Sequence, residues 1–428
     1  MNKDFKTFII FWFSQSISQL GSAMTSFALI IWVYTKTNSA MSMSLMAFCS
    51  YVPYIVVSLF SGEFIDKHKK KTIMLISDSI AAVCSLAIFL IWNMEVLEIW
   101  HIYIVNFVIG FMNSFQGPAQ SVAIAKIVPD GKISQASGMD SFSANLINIV
   151  SPVLAPAIFS FGGLGVVIGV DLVTFIFAFI TLFIFIDIPE SLNKNGKGKS
   201  AFDGCKEGIY FLLKHKGLWY IVLTMAVMNF FSRLTYENIL SPMILARSGG
   251  NSEILGLVNA SLGIGGILGG ILVASNIKIK DNIKSIYISA AISFLFGDIL
   301  MAIGQNGVSW CIAGVIASIP IPFIMAGERV ILYKAIPEEL QGKVFSVRNA
   351  VQYSTIPIGI LLGGFLADYI FEPIMKSDKM IVSIFHNIVG QGSGSGMAVM
   401  FLCTGILGSV ASIAAYKLKE IQKLRDIK

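Results

Sequence analysis

The sequence predicts an all-α membrane protein: twelve transmembrane helices in two pseudo-symmetric six-helix bundles. Three observations predict it. Apolar runs of roughly 20 residues, enough to cross a ~30 Å hydrocarbon core, recur along all 428 residues. Lysine and arginine fall almost wholly into alternate connections. Residues of the first half reappear in kind 208 positions later. Hydrophobic residues make up 55% of the chain and charged residues 13%, about half the ~25% of a soluble domain. Inside a bilayer every backbone polar group must be bonded internally, so such runs are helices. The short alternating segments of an outer-membrane barrel are absent.

The first span, 8–34, follows a basic start (Lys3, Lys6) and runs too long for a cleavable signal. It carries Phe11, Trp12, Phe27 and Trp32 but no acid. The second, 41–61, ends at Gly62, which lets the chain turn sharply into a basic loop. The third, 72–94, holds Asp78; the fourth, 99–123, holds Gly117-Pro118-Ala119 and is followed by Pro129. The fifth, 135–160, contains Ser151-Pro152 and Pro156, and the sixth, 163–186, contains Asp171.

A connection over 187–216 comes next. It opens on a polar stretch from Pro189 to Ser200, then turns amphipathic, with Phe202, Ile209 and Leu213 opposite Lys206, Lys214 and Lys216. That pattern reads as a helix lying on the inner leaflet. The second set of spans is 217–240, 253–275, 284–304, 308–333, 344–371 and 396–416. The expected domains are therefore 1–186 (N-terminal bundle), 187–216 (cytoplasmic linker) and 217–428 (C-terminal bundle). The outer loop 372–395 suggests no role.

With both termini in the cytoplasm, 25 of the 31 Lys and Arg residues fall in inner segments. Only Lys36, Arg247, Lys376 and Lys379 fall outside, and Arg233 and Arg329 lie within spans. This is a strong positive-inside pattern, which fixes both ends in the cytoplasm and supports an even number of spans; the membrane expected is the plasma membrane. The net charge of +6 is then a topology feature, and no nucleic-acid partner is expected. The halves echo each other at Pro129 and Pro337, Gln120 and Glu328, and Gly62 and Gly270. Internal duplication of a helix bundle is a mark of transporters, with the substrate held near the midplane.

Five scattered cysteines contain no CxxC pair, so neither metal nor disulfide framework is indicated. No G-x-x-x-x-G-K-[ST] occurs, and no His, Asp or Cys residues cluster in the spans, so neither ATP hydrolysis nor an embedded enzyme is expected. No cofactor is expected. Charges within the spans are the best functional pointers. Asp171, Asp298 and Glu328 are candidates for proton coupling, with structural pairing as the alternative; Arg329 stands beside Glu328 but about 100° around the helix. Arg233 and Glu237, four apart, suit an intrahelical ion pair. Trp12, Phe27, Phe230 and Arg233 are candidates for a substrate cavity.

The segment Gly62-Glu63-Phe64-Ile65-Asp66-Lys67-His68-Lys69-Lys70-Lys71 resembles the G-x-x-x-D-R-x-G-R-[RK] loop of the major facilitator superfamily. It matches at Gly62, Asp66, Lys67, Lys70 and Lys71 and departs at Lys69. Further likeness lies in Asp78, Ser151-Pro152, Gln341 to Ser346, and Ala367-Asp368. The branch resembled is that of bacterial macrolide efflux proteins and enterobactin exporters. The resemblance implies the major facilitator fold, with Gly62, Asp66, Lys67, Lys70 and Asp78 as a conformational switch. Ser151, Pro152 and Pro156 look like an antiporter-type hinge. The superfamily's common span-four arginine is missing, since Ile109 precedes Gly110. The implied activity is export of amphipathic, macrolide-like drugs by proton antiport, by a monomer in the lipid bilayer. Export of one dedicated metabolite, such as a siderophore or peptide product, and lipid scrambling are the alternatives.

Overall fold

A computed structural model describes residues 5–129, 132–189, 201–275, 281–377 and 380–426, without the side chains of 59, 60, 62, 63, 66, 134, 201–205, 338, 339, 342, 381 and 426. Every regular element among them is helical. Among the described residues, ten helices are long and apolar enough to cross a membrane. The longest, Gln135–Phe185, is two spans joined at Gly163, and Ile99–Ile127 adds a further 29-residue helix.

The chain divides into two compact units. The first comprises Met1–Thr37 and Leu45–Lys197; the second comprises Asn38–Ser44 and Gly198–Lys428. The division thus falls inside a helix, after Ser44.

In the first unit, α1 (Phe5–Thr37) packs along α5 (Ile133–Ile180). Gly21 makes this approach possible: a Cβ there would lie 2.3 Å from Thr174 Oγ1 and 3.0 Å from the Asp171 backbone. α2 (Ala40–Lys67) meets α4 (Ile99–Ile127) where a Cβ on Gly110 would lie 2.1 Å from the Ser50 carbonyl oxygen. α3 (Lys70–Asn93) packs on α4 and α5. Gly163, at φ 67°, adopts the left-handed conformation that makes the tight turn between spans five and six. Trp92 packs against it, and Gly165 leaves room for the indole. One end of the unit holds an apolar core that includes Phe8, Phe11, Met74, Ala123 and Leu182. There Lys71 donates to the carbonyls of Phe183 (2.9 Å) and Ile186 (2.7 Å), closing a π-helical turn.

In the second unit, α6 (Ala201–Lys214) leads into α7 (Lys216–Thr235), then α8 (Leu240–Arg247) and α9 (Ser252–Ala274). Span nine is α10 (Asn282–Ile292), a π-helical turn over Ser293–Asp298, and α11 (Ile299–Ile303). Span ten, expected as one helix, is α12 (Gly307–Ser318) and α13 (Ile321–Ala335), interrupted at Pro320 because proline has no N–H to donate. α14 (Glu338–Leu366), α15 (Glu372–Met375) and α16 (Met380–Val389) precede α17 (Ser395–Tyr416) and α18 (Lys419–Gln422).

The amphipathic segment is a helix, as its pattern predicts, but it does not simply lie on a leaflet. Leu212 is fully buried in a core with Leu218, Val344 and Val347. Gly208 allows the contact, since a Cβ there would come 2.7 Å from the Lys343 carbonyl oxygen, and Lys343 pairs with Glu207. Ile209 and Leu213 remain exposed, which suits a lipid surface. The Phe202 side chain and most of the polar stretch (190–200) lie outside the described residues.

Candidate functional site

A cavity of about 480 Å³ opens within the first unit, in the size range of small-molecule sites. Its wall comes from α1 to α5. Six side-chain amides line it: Gln15, Gln19, Asn106, Asn113, Gln116 and Gln120. Their placement follows helical spacing. Gln15 and Gln19 are one turn apart on α1, while Asn106, Asn113, Gln116 and Gln120 step along one face of α4. That polar stripe through apolar helices was readable in the sequence, but charges and aromatics drew the reading away from it.

Asp171 and Asp78 are the two carboxylates on the wall among the described residues, where no Lys, Arg or His lines it. Asp171 is 4% exposed. Ser22 Oγ donates to its Oδ1 (2.9 Å) and Ser85 Oγ to its Oδ2 (3.0 Å). The close approach at Gly21 brings Ser22 into range. Asp78 accepts from the Gln116 amide, and Gln19 Nε2 donates to Gln120 Oε1 at 3.2 Å. Gln15 is 2% exposed, and its Nε2 is buried with no acceptor.

The remaining acids stand elsewhere. Asp298 is fully buried in the second unit, where Thr404 Oγ1 donates to Oδ2 at 2.7 Å. Glu328 is paired, but not with its neighbour Arg329. Arg348, twenty residues on in α14, donates from Nε (3.0 Å) and Nη2 (2.6 Å), and Gln352 Nε2 adds a third bond at 2.9 Å. Arg233 and Glu237 form the intrahelical pair their spacing suggests.

The cavity does not collect the expected aromatics. Trp12 Nε1 donates to the Met139 carbonyl (3.0 Å) and Ser143 Oγ (3.2 Å) and packs on the core end of the first unit. Phe27 is buried, and Phe230 stacks edge-on against Phe231 in the second unit. Around Ser151, Pro152 and Pro156 the helix runs on; the backbone leaves helical geometry at Gly163 instead. Lys67 is exposed and Lys70 is 2% exposed, while the Asp66 side chain lies outside the described residues. Gly62, expected to end the second span in a sharp turn, instead lies within α2, which runs on as a helix to Lys67.

The profile of the Major Facilitator Superfamily matches residues 11–360. The chain belongs to this superfamily. It is therefore a multi-pass membrane transporter and not an enzyme, as the sequence led us to expect. Macrolide efflux protein A of Streptococcus pyogenes is 26% identical over 373 residues, covering 85% of this chain and 90% of the relative. The staphyloferrin A transporter of Staphylococcus aureus is 24% identical over 367 residues, covering 84% and 89%. The multidrug efflux pump Tap of Mycolicibacterium fortuitum is 23% identical over 378 residues, covering 81% and 86%. Among solved structures, a bacterial homologue of the iron transporter ferroportin aligns at a TM-score of 0.70 and 12% identity, over 97% of this chain and all of that one. A bacterial homologue of the lysosomal transporter Spinster aligns at 0.69 and 12%, over 98% of each. At such identities these structures speak for the major facilitator fold alone.

Proposed function

We propose that this superfamily member is a secondary active exporter of amphipathic small molecules, driven by proton entry across a bacterial plasma membrane. It works as a monomer with both termini in the cytoplasm. The observation that carries the reading is Asp171. It is the candidate acid that lines a cavity large enough for a drug, and its two serine bonds leave each oxygen with further capacity to accept. An acid on a cavity wall can exchange a proton with water there and meet a substrate at the same place. Relatives named for macrolide and multidrug efflux support export as the direction.

Glu328 and Asp298 fit the role less well. Glu328 is held by three charge-assisted bonds that a proton would break, and Asp298 lies fully buried and off this cavity. Transport proceeds by alternating exposure of the site, as in transporters built from repeats. A susceptibility panel on cells with and without the chain, macrolides included, tests this reading. The chain should raise the inhibitory concentration of at least one class several-fold, and an uncoupler should abolish the gain. An unchanged panel would refute export of drugs and favour the dedicated-metabolite alternative.

A further inference from the structure

α16 (Met380–Val389) lies in the connection 372–395, for which the sequence suggests no role. At 1.5 Å per residue its 10 residues reach about 15 Å, half of a ~30 Å hydrocarbon core, so α16 does not cross a membrane. The second unit holds it along one side and at its end. Val382 and Val389 are buried. His386 Nε2 donates to the Met375 carbonyl at 3.1 Å, and Arg247 donates to the Val389 carbonyl. Gly390, left-handed at φ 86°, ends the helix, and its N–H returns to the His386 carbonyl at 3.0 Å.

The other sides of α16 divide by chemistry. At about 100° per residue, Met380, Ile384 and Ile388 form one ridge, and Ser383 and Asn387 form a polar stripe beside it. All five are exposed, Met380 to 88%. An exposed apolar ridge bounded by a polar stripe is the pattern of a helix lying in the membrane–water interface. The ridge also continues a surface that meets lipid. α16 packs against α11, α15 and α17. Ile303 and Ile374, at the ends of the spans Asn282–Ile303 and Lys343–Met375, are exposed on two of those neighbours. Lys376, exposed just before α16, places a cation where headgroup phosphates lie.

We propose that α16 is a lipid-binding helix. It lies in the outer headgroup region with Met380, Ile384 and Ile388 in the acyl boundary and with Ser383 and Asn387 towards water. Its partner is phospholipid, and it fastens the connection between spans eleven and twelve to the bilayer surface. The outer placement rests on the orientation proposed above; lipid contact along the ridge does not.

The test uses the full chain in nanodiscs containing a phospholipid with a diazirine near the top of its acyl chain. A water-soluble diazirine serves as the counterpart, and tandem mass spectrometry reads the insertion sites. The lipid reagent should mark Met380, Ile384 and Ile388 several-fold more than Ser383 and Asn387, and the aqueous reagent should show the reverse order. Ile384→Asp combined with Ile388→Asp should lower lipid labelling of Met380 several-fold while the unfolding temperature in detergent stays near that of the parent chain. Aqueous labelling of the ridge equal to that of the stripe would overturn the proposal. A ridge that neither reagent reaches would overturn it too, because a second copy or another protein would then cover it. The side of the membrane is read separately. An impermeant amine reagent applied to whole cells should modify Lys376. Modification in inverted vesicles alone would overturn the outer placement together with the proposed orientation, even where the lipid reagent marks the ridge.

Discussion

Asp368 caps the N-terminus of α2 at Met41: its Oδ2 accepts the Met41 N–H at 2.9 Å. Oδ1 accepts the Ala40 N–H at 3.1 Å, and the Ser39 hydroxyl donates to Oδ2 at 2.6 Å. A helix N-terminus has N–H groups with no partner in the helix, so a carboxylate there satisfies them and meets the positive end of the dipole. Residues 38–44 belong to the second unit, yet α2 continues into the first from Leu45. Ser44 bonds Asn238, and a Cβ on Gly364 would reach Ser44 Oγ at 2.1 Å. Within the second unit, the first turn of α2 is thus held by a cap, a side-chain bond and a close approach.

Asp368→Ala should remove the cap, at about 0.5–2 kcal/mol for a helix N-terminus. Hydrogen exchange at Ala40 and Met41 should quicken by roughly tenfold, with little change at Ser85 or Thr174. Unchanged exchange at Ala40 would show that water replaces the carboxylate without loss.

Glu328 should behave as a structural acid. It is 2% exposed and held by Arg348 and Gln352. Removing one partner of a buried ion pair typically loses about 3–5 kcal/mol, because the other charge is stranded. Glu328→Gln should lower the unfolding temperature in detergent sharply, and adding Arg348→Gln should restore part of it. Additive losses in the double variant would contradict the pairing.

Gly21→Val should damage the site through packing. The new side chain meets Thr174 and the Asp171 backbone, so α1 must move away from α5 and carry Ser22 off Asp171. Overpacking of this kind costs about 1–3 kcal/mol. Erythromycin binding should fall more in Gly21→Val than in the milder Gly21→Ala. Equal binding in Gly21→Val and the parent would mean that the Ser22 bond is dispensable.

The C-terminal segment is clasped by Arg425, which donates to Asp281. Asp281 also caps α10, accepting the Lys284 N–H at 2.9 Å. Burial pushes the Asp281 carboxyl up, but the bonds from Lys284 and Arg425, with the guanidinium charge, outweigh it and hold the group below its usual range. A carboxyl so depressed contributes stability above its unfolded value of about 3.9, and that contribution is lost as pH falls further. Proteolysis of the segment after Tyr416 should therefore be slow and constant from neutral pH to about 5 and quicken below 4. In Arg425→Ala it should be fast throughout. A segment equally protected in Arg425→Ala would show that the clasp is idle.

Much of the fold was legible because a bilayer leaves few choices. Span length follows from hydrocarbon thickness and backbone satisfaction, and basic loops from the positive-inside bias, and these act on the sequence alone. What escaped depends on who meets whom. The break at Pro320 lay inside an apolar run that read as continuous. Leu212 read as one more apolar residue until α14 supplied its partner. The acids were visible, but their partners were not: nothing in the sequence near Glu328 announces Arg348, and nothing near Asp171 announces Ser22 and Ser85. Aromatics were poor guides because the chain is 12% aromatic and most such rings fill packing space.

The central claim is that a proton on Asp171 is exchanged for substrate in the cavity of the first unit. Its most direct test is proton movement in proteoliposomes when erythromycin is supplied at saturation, in the parent chain and in Asp171→Asn, with substrate counterflow measured on the same vesicles. The account predicts proton movement opposite to substrate in the parent chain, and counterflow without proton movement in Asp171→Asn. Proton-coupled export that survives Asp171→Asn undiminished would contradict it.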